Sequence, residues 1–155
     1  MVEAICSLVV MAWSVYAGPA VAVGTCHDVL TVAERAGLDL PLVAAIAYTE
    51  SRFRADAESR AGAVGPLQVL PKYHCPNRRR AGCDLVAAGV GAIIRHLDVY
   101  GRKGLAAVLC HWNAGNACGE KGRLFAKIVI KRQAKIRRMV RDHRRSPASM
   151  LAHAP

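Results

Sequence analysis

Apolar positions recur at helical spacing along most of the chain, and no stretch alternates apolar with polar residues as a half-buried strand does. An uncharged run fills Ala4 to Val23. Val29 to Ala36 is a short mixed segment closed by Gly37. Asp39 then precedes Leu40-Pro41, a cap followed by a first-turn proline, and predicts an alanine-rich helix over Leu42 to Phe53. Glycines and prolines make Arg54 to Pro71 a loop with at most one turn of helix, and Pro71 to Gly82 a second loop, basic at Arg78-Arg79-Arg80. Asp84 caps a helix over Leu85 to Tyr100, with Val86, Val90, Ile93, Ile94 and Leu97 on one side; Gly101 and Gly104 end it. Leu105 to Trp112 is a further helix, and Leu124 to Val140 a long amphipathic one with the stripe Phe125, Ile128, Val129, Ile136, Met139 and Val140. Ser146 to Pro155 reads as frayed. The pattern predicts a mainly α domain, with room for a small hairpin.

The first 24 residues bear on the compartment. A hydrophobic run from Ile5 to Val15 leads to small residues at Ala20 and Ala22, which suit a signal peptidase cutting after Ala22. The segment before the run has Glu3 and no Lys or Arg. An uncleaved membrane anchor, since about 20 apolar residues just span a bilayer, and a buried core helix are the alternatives. Signal and anchor both put the remainder outside the cytoplasm. The expected division is therefore a signal or anchor over 1–24, a folded domain over 25–142 and a flexible tail over 143–155.

Six cysteines in 155 residues sharpen this. Cys75 and Cys83 are eight apart, as are Cys110 and Cys118. Zinc sites want closer pairs joined by histidine. His74 and His111 adjoin two of the cysteines, but the short spacing is absent, so no metal and no cofactor is expected. Two disulfides, each closing one loop, fit better. Loss of Cys6 with a signal would leave Cys26 without an assigned partner, free or competing for Cys75 or Cys83.

Charge changes the picture again. The formal charge is +11, but residues 120 to 155 hold eleven Lys and Arg against two acids, so the first 119 are nearly neutral. Lys127, Lys131, Lys135 and Arg138 share one helix face, widened by Arg132, Arg137, Arg141, Arg144 and Arg145. A solvated face is the plainest reading, and attraction to an anionic wall polymer or phospholipid surface is the functional one. Nucleic acid fits poorly, because aromatic interleaving and a reading helix are absent.

Glu50 is the unusual residue. At three, four and seven positions before it stand Ala47, Ile46 and Val43, so its carboxylate is on the apolar side of its helix. Burial favours the protonated form, and a neutral carboxylic acid near pH 7 can protonate a leaving group. The competing reading is a Glu at the stripe's edge, paired with Arg52 or Arg54.

The sequence around it reads Glu50-Ser51, then Ser59, then Gly62-Ala63-Val64-Gly65-Pro66-Leu67-Gln68, and much later His111-Trp112-Asn113-Ala114-Gly115. This order and spacing resembles lytic transglycosylases of the soluble-lytic-transglycosylase type, a goose-lysozyme-like family, over roughly Cys26 to Val140. The resemblance implies a lysozyme-like helical fold, peptidoglycan as substrate, and Glu50 as the sole catalytic acid/base. It further implies that Ser59, Gln68, Trp112 and Asn113 line the sugar groove. Gly62 and Gly65 would let the backbone pass close to the glycan. Cysteines at positions 26 and 83 are similar to those of small members attached to secretion or conjugation machines, and the family has phage members as well. Where the family has Tyr-Asn-Ala-Gly this chain has Trp112, and Phe125 stands nearest to a second family tyrosine, so two hydroxyls are missing. Tyr48 or Tyr73 are the replacements to consider. Two other functions fit the same residues: a phage endolysin (muramidase) of the same fold held by an N-terminal anchor, and a non-catalytic module binding glycan or an anionic partner.

Overall fold

The computed structural model describes residues 1–13 and 18–146. It contains α1 (Val2–Ala12), α2 (Pro19–Arg35), α3 (Leu40–Ser51), α4 (Pro71–His74), α5 (Leu85–Tyr100), α6 (Leu105–Ala114) and α7 (Glu120–Arg145). No strand forms among the described residues. The hairpin reduces to isolated antiparallel bridges, Glu58 with Val64 and Val64 with Val69, inside the loop before α4.

The fold is built around α3. Asp39 caps it, its carboxylate accepting from the Leu42 N–H at 3.1 Å. From Leu42 to Tyr48 every residue is buried. The stripe read from the sequence is therefore too narrow: α3 is apolar all round, as a helix enclosed by others must be. It packs against α2 and α7, with α1 at one end, while α5 pairs with α6 and lies against α2. On α7 the buried residues are Gly122, Phe125, Ala126, Val129, Gln133, Ile136 and Val140, whereas Ile128 stays partly exposed. Gln133 is buried because its amide donates to the Asp39 carboxylate at 2.6 Å, which Arg137 also pairs at 3.2 Å. The cap of α3 is thereby tied to the basic helix. Helices α6 and α7 touch closely at Gly122, where a Cβ would lie 2.7 Å from the Cys110 carbonyl oxygen. That backbone atom has no room to move aside, so only glycine permits the approach.

Several expected boundaries shift. Helix α2 begins at Pro19 rather than near Val29, because Ala22, Cys26, Val29, Leu30 and Ala33 continue one buried face. Helix α3 starts at Leu40 and stops at Ser51. Pro71–His74 is a single helical turn inside the expected loop. Helix α7 runs from Glu120 to Arg145, and of the expected tail residues 147–155 lie outside the described residues.

Cys75–Cys83 and Cys110–Cys118 are bridged. Cys26 pairs with Cys6, not with Cys75 or Cys83. Helix α1 buries Val2, Ile5, Cys6, Val9 and Val10 against α2, α3 and α7. Ala22, the residue before the expected cut, is fully buried within α2. No helix among the described residues is long and apolar enough to cross a membrane. Bridging Cys6 to Cys26 closes a loop of 20 residues, which restricts the unfolded chain and stabilises by about 3 kcal/mol. The full-length Cys6→Ser/Cys26→Ser double variant should show a urea midpoint lowered accordingly. An unchanged midpoint would mean that the Cys6–Cys26 bridge does not form.

Candidate active site

Glu50 stands one residue before the end of α3. The chain leaves that helix through two successive left-handed residues, Arg52 at φ 55° and Phe53 at φ 59°. Each costs about 1–3 kcal/mol for a non-glycine residue. Full burial of the Phe53 ring, worth about 1.5–3 kcal/mol, offsets part of that cost. Beside Glu50, the buried Ser51 hydroxyl donates to the Pro66 carbonyl at 2.8 Å. That bond pins the following loop against the end of α3.

The loop is shaped by its own polar groups. Ser59 Oγ accepts from the Ala63 N–H at 3.0 Å, and the Gln68 amide donates to the carbonyls of Ala57 (3.2 Å) and Gly65 (3.0 Å). Gly65 adopts φ +77°, and a Cβ there would meet Leu85 at 3.0 Å. Gly62 also lies at positive φ. These glycines serve the turn itself, and the expected passage of a ligand along them is a separate matter.

Opposite the loop, α6 carries Trp112, whose indole Nε1 donates to Glu50 Oε1 at 2.7 Å. The α6–α7 approach at Gly122 and the Cys110–Cys118 bridge hold α6 in that place. Burial pushes the Glu50 pKa from 4.5 up to about 7, while the Trp112 N–H, which favours the ionised form, pulls the other way. At neutral pH Glu50 is therefore divided between acid and carboxylate.

A cavity of about 300 Å³ opens on Glu50. Ser59, Gln68, Trp112 and Asn113 all line it, so the five residues picked from the sequence surround one space. A smaller hollow of about 220 Å³ lies on the acid's other side, between Thr49, Ser51, Arg52 and Arg54. Two further polar residues, His74 and His96, face the larger cavity. His96 meets the Trp112 ring edge-on at 5.4 Å, with Nδ1 at 2.8 Å from the Ala92 carbonyl. Arg95 Nη2 donates to His74 Nδ1 at 3.1 Å. Burial first, then the charges of Arg95 and His96, lower the His74 pKa. His74 is thus neutral at pH 7, with its proton on Nε2, because Arg95 occupies Nδ1 as a donor. His96 lies off the apolar stripe of α5, and in the sequence His74 stands out only as a neighbour of Cys75; neither carried a signal of this site.

Asp56 and Glu58, the acids nearest to Glu50 in sequence, are exposed, and Glu58 pairs with Arg80 at 3.0 Å. Neither lines the cavity. The proposed hydroxyl replacements are absent from it as well: Tyr73 is exposed, and Tyr48 lines a different pocket. Phe125 belongs to the core. The indole N–H of Trp112 stands where a hydroxyl donor was expected.

The family model described as Transglycosylase SLT domain matches residues 29–121, more than half of the chain. No curated protein and no solved structure matches.

Proposed function

The chain belongs to the transglycosylase SLT domain family, and from that premise we propose that it is an extracytoplasmic peptidoglycan lytic transglycosylase with Glu50 as its single acid/base. One observation carries this reading: a carboxyl group held by the Trp112 indole in the lining of a cavity, its pKa raised by burial to about 7. A group divided between its two forms near neutral pH can give a proton and take one back.

Ordinary glycosidases divide those tasks between two carboxylates. Among the described residues no second carboxylate lines this cavity, and the lytic reaction requires none. Protonated Glu50 gives its proton to the oxygen bridging MurNAc C1 and the following GlcNAc, and the C1–O bond breaks toward that oxygen. The resulting carboxylate takes the proton of the C6 hydroxyl of the same MurNAc, and that oxygen closes on C1. A 1,6-anhydro end forms, no water is consumed, and Glu50 regains its proton. The attacking oxygen belongs to the sugar already bound, so the step has the advantage of an intramolecular reaction.

Ser59, Gln68 and Asn113 supply polar edges for the sugars. Neutral His74 adds an Nε2–H donor on the same wall. Trp112 fixes the Glu50 carboxyl and stabilises it in its ionised state. The test is to digest purified sacculi with the full chain and identify the sugar ends by mass. Anhydro-MurNAc ends are expected, two hydrogens and one oxygen lighter than reducing ends. Reducing ends alone would make the protein a muramidase, and binding without cutting would make it a glycan-binding module.

A further inference from the structure

Tyr48 stands two residues before Glu50 on α3 and so points to nearly the opposite side of that helix. There it forms one wall of a second pocket, of about 290 Å³, with Trp13, Ile128, Lys131, Arg132 and Lys135. Among the described residues that line it, three are cations and none is an acid. The Trp13 and Tyr48 rings meet at 4.5 Å between centroids. The Arg132 guanidinium lies over both, 5.0 Å from Tyr48 and 5.9 Å from Trp13, and the Lys135 ammonium is 5.5 Å from Trp13. Arg132 Nη1 also donates to Thr49 Oγ1 at 2.8 Å, which holds the guanidinium at the pocket wall. Five of the six wall residues fall outside 29–121, so this pocket is largely built by parts of the chain that the family match does not cover.

The pocket belongs to a longer surface. From Lys121 to Arg141, about 30 Å of helix, α7 carries nine Lys and Arg and no acid. Leu124, Ile128, Lys131 and Lys135, spaced by four, three and four, share one face, turned away from the buried Val129 and Ile136. Leu124 is 58 % exposed and Ile128 36 %, and Met11, at the end of α1 that leads into Trp13, is 86 % exposed. Large apolar side chains left in water among cations separate two kinds of anionic partner. A soluble polyanion, whether nucleic acid or wall polymer, matches only the charges. A bilayer surface matches both: cations meet the headgroup phosphates while leucine, isoleucine and tryptophan side chains sink to the acyl boundary. Tryptophan and tyrosine are also the side chains that favour the headgroup level.

We propose that this face of α7 is a membrane-surface docking site, with the Trp13–Tyr48 pocket receiving the phosphate of an anionic phospholipid headgroup. The phosphate oxygens accept from the Arg132 guanidinium and from the Lys131 and Lys135 ammonium groups. Three cations gathered on aromatic walls repel one another, and a bound anion relieves that repulsion. Burial is the first cause of a lowered Arg132 pKa, and an anion beside a partly desolvated cation offsets the cost of that burial. None of the pocket's walls lines the cavity at Glu50, so the headgroup and the contents of that cavity do not compete for space.

The experiment sediments the full-length oxidised chain with vesicles of phosphatidylcholine alone and of phosphatidylcholine and phosphatidylglycerol in equal parts. Binding to the anionic vesicles should be about a hundredfold tighter, the combined worth of three cations at a charged surface. Equal binding to both overturns the proposal, and this comparison needs no variant. Lys131→Gln/Lys135→Gln, both positions being exposed on α7, should weaken binding to the anionic vesicles about thirtyfold. Arg102→Gln/Lys103→Gln, which removes two exposed cations from the loop before α6, should leave it unchanged. An equal loss from both pairs would reduce the attraction to net charge and overturn the site. Leu124→Ser/Ile128→Ser should weaken vesicle binding about tenfold and leave binding to a soluble glycerol-phosphate polymer and to duplex DNA as it was. Vesicle binding untouched by that pair, or tighter binding of the polymer or of DNA than of the anionic vesicles, also overturns the proposal. Urea midpoints equal to the parent's show that the variants are folded. Binding is read without catalysis, so the result stands apart from the lytic reading of Glu50.

Discussion

Glu50→Gln should lower the release of anhydro ends by about 10²–10⁴-fold and, above neutral pH, make the protein more stable than its parent. Glutamine keeps the shape of the side chain and an oxygen for the Trp112 N–H, but it cannot carry the proton. The stability effect follows from the raised pKa of about 7 against 4.5 for an unperturbed glutamate. Between those values the unfolded chain has lost the proton and the folded chain still holds it, so folding stability falls as pH rises. By pH 8 the ionised group costs about 3 kcal/mol, at about 1.4 kcal/mol per pKa unit. Glutamine does not titrate and escapes that cost. Urea unfolding at pH 4 and pH 8 should therefore separate parent and variant only at the higher pH. The same difference at both would show that Glu50 is not a buried, titrating acid.

Trp112→Phe carries the next largest effect. It keeps a flat ring and deletes the N–H that holds Glu50 Oε1 at 2.7 Å. That bond favours the carboxylate and is worth about 1.5–3 kcal/mol when its acceptor is charged. Without it the Glu50 pKa climbs further, by about one unit. The alkaline limb of kcat/KM should move up by the same amount. Over the same range kcat should fall about tenfold, because Glu50 becomes a weaker acid and the carboxylate left after it protonates the bridging oxygen is less well stabilised. A limb that stays in place while kcat falls would reduce Trp112 to a packing residue.

The helices were legible because their periods and caps are local. Asp39 and Asp84 mark the starts of α3 and α5, and both carboxylates accept from backbone N–H groups as read. Glu50 stands out in the sequence because it interrupts an apolar pattern, and Ser59, Gln68 and Asn113 because of their order along the chain; the fold brings the four to one cavity. What escaped was set by contacts between distant segments. His96 reaches the cavity through the pairing of α5 with α6, which no spacing within α5 encodes. At position 112 a tryptophan lacks the tyrosine hydroxyl, and the placing of α6 turns its indole N–H into the donor to Glu50. The partner of Cys26 is set by α1 lying along α2, since helix packing, not loop length, brings Cys6 to it.

The Cys6–Cys26 bridge spans the peptide bond that follows Ala22. Severing that bond and discarding what precedes it are consequently two separate events. A chain cut after oxidation remains one covalent molecule, heavier by one water, and splits into two pieces only when a reductant is added. A chain cut before oxidation loses its first segment and leaves a thiol at Cys26. Electrophoresis with and without reductant, together with thiol counting, therefore reads out which of oxidation and proteolysis came first in the life of each molecule.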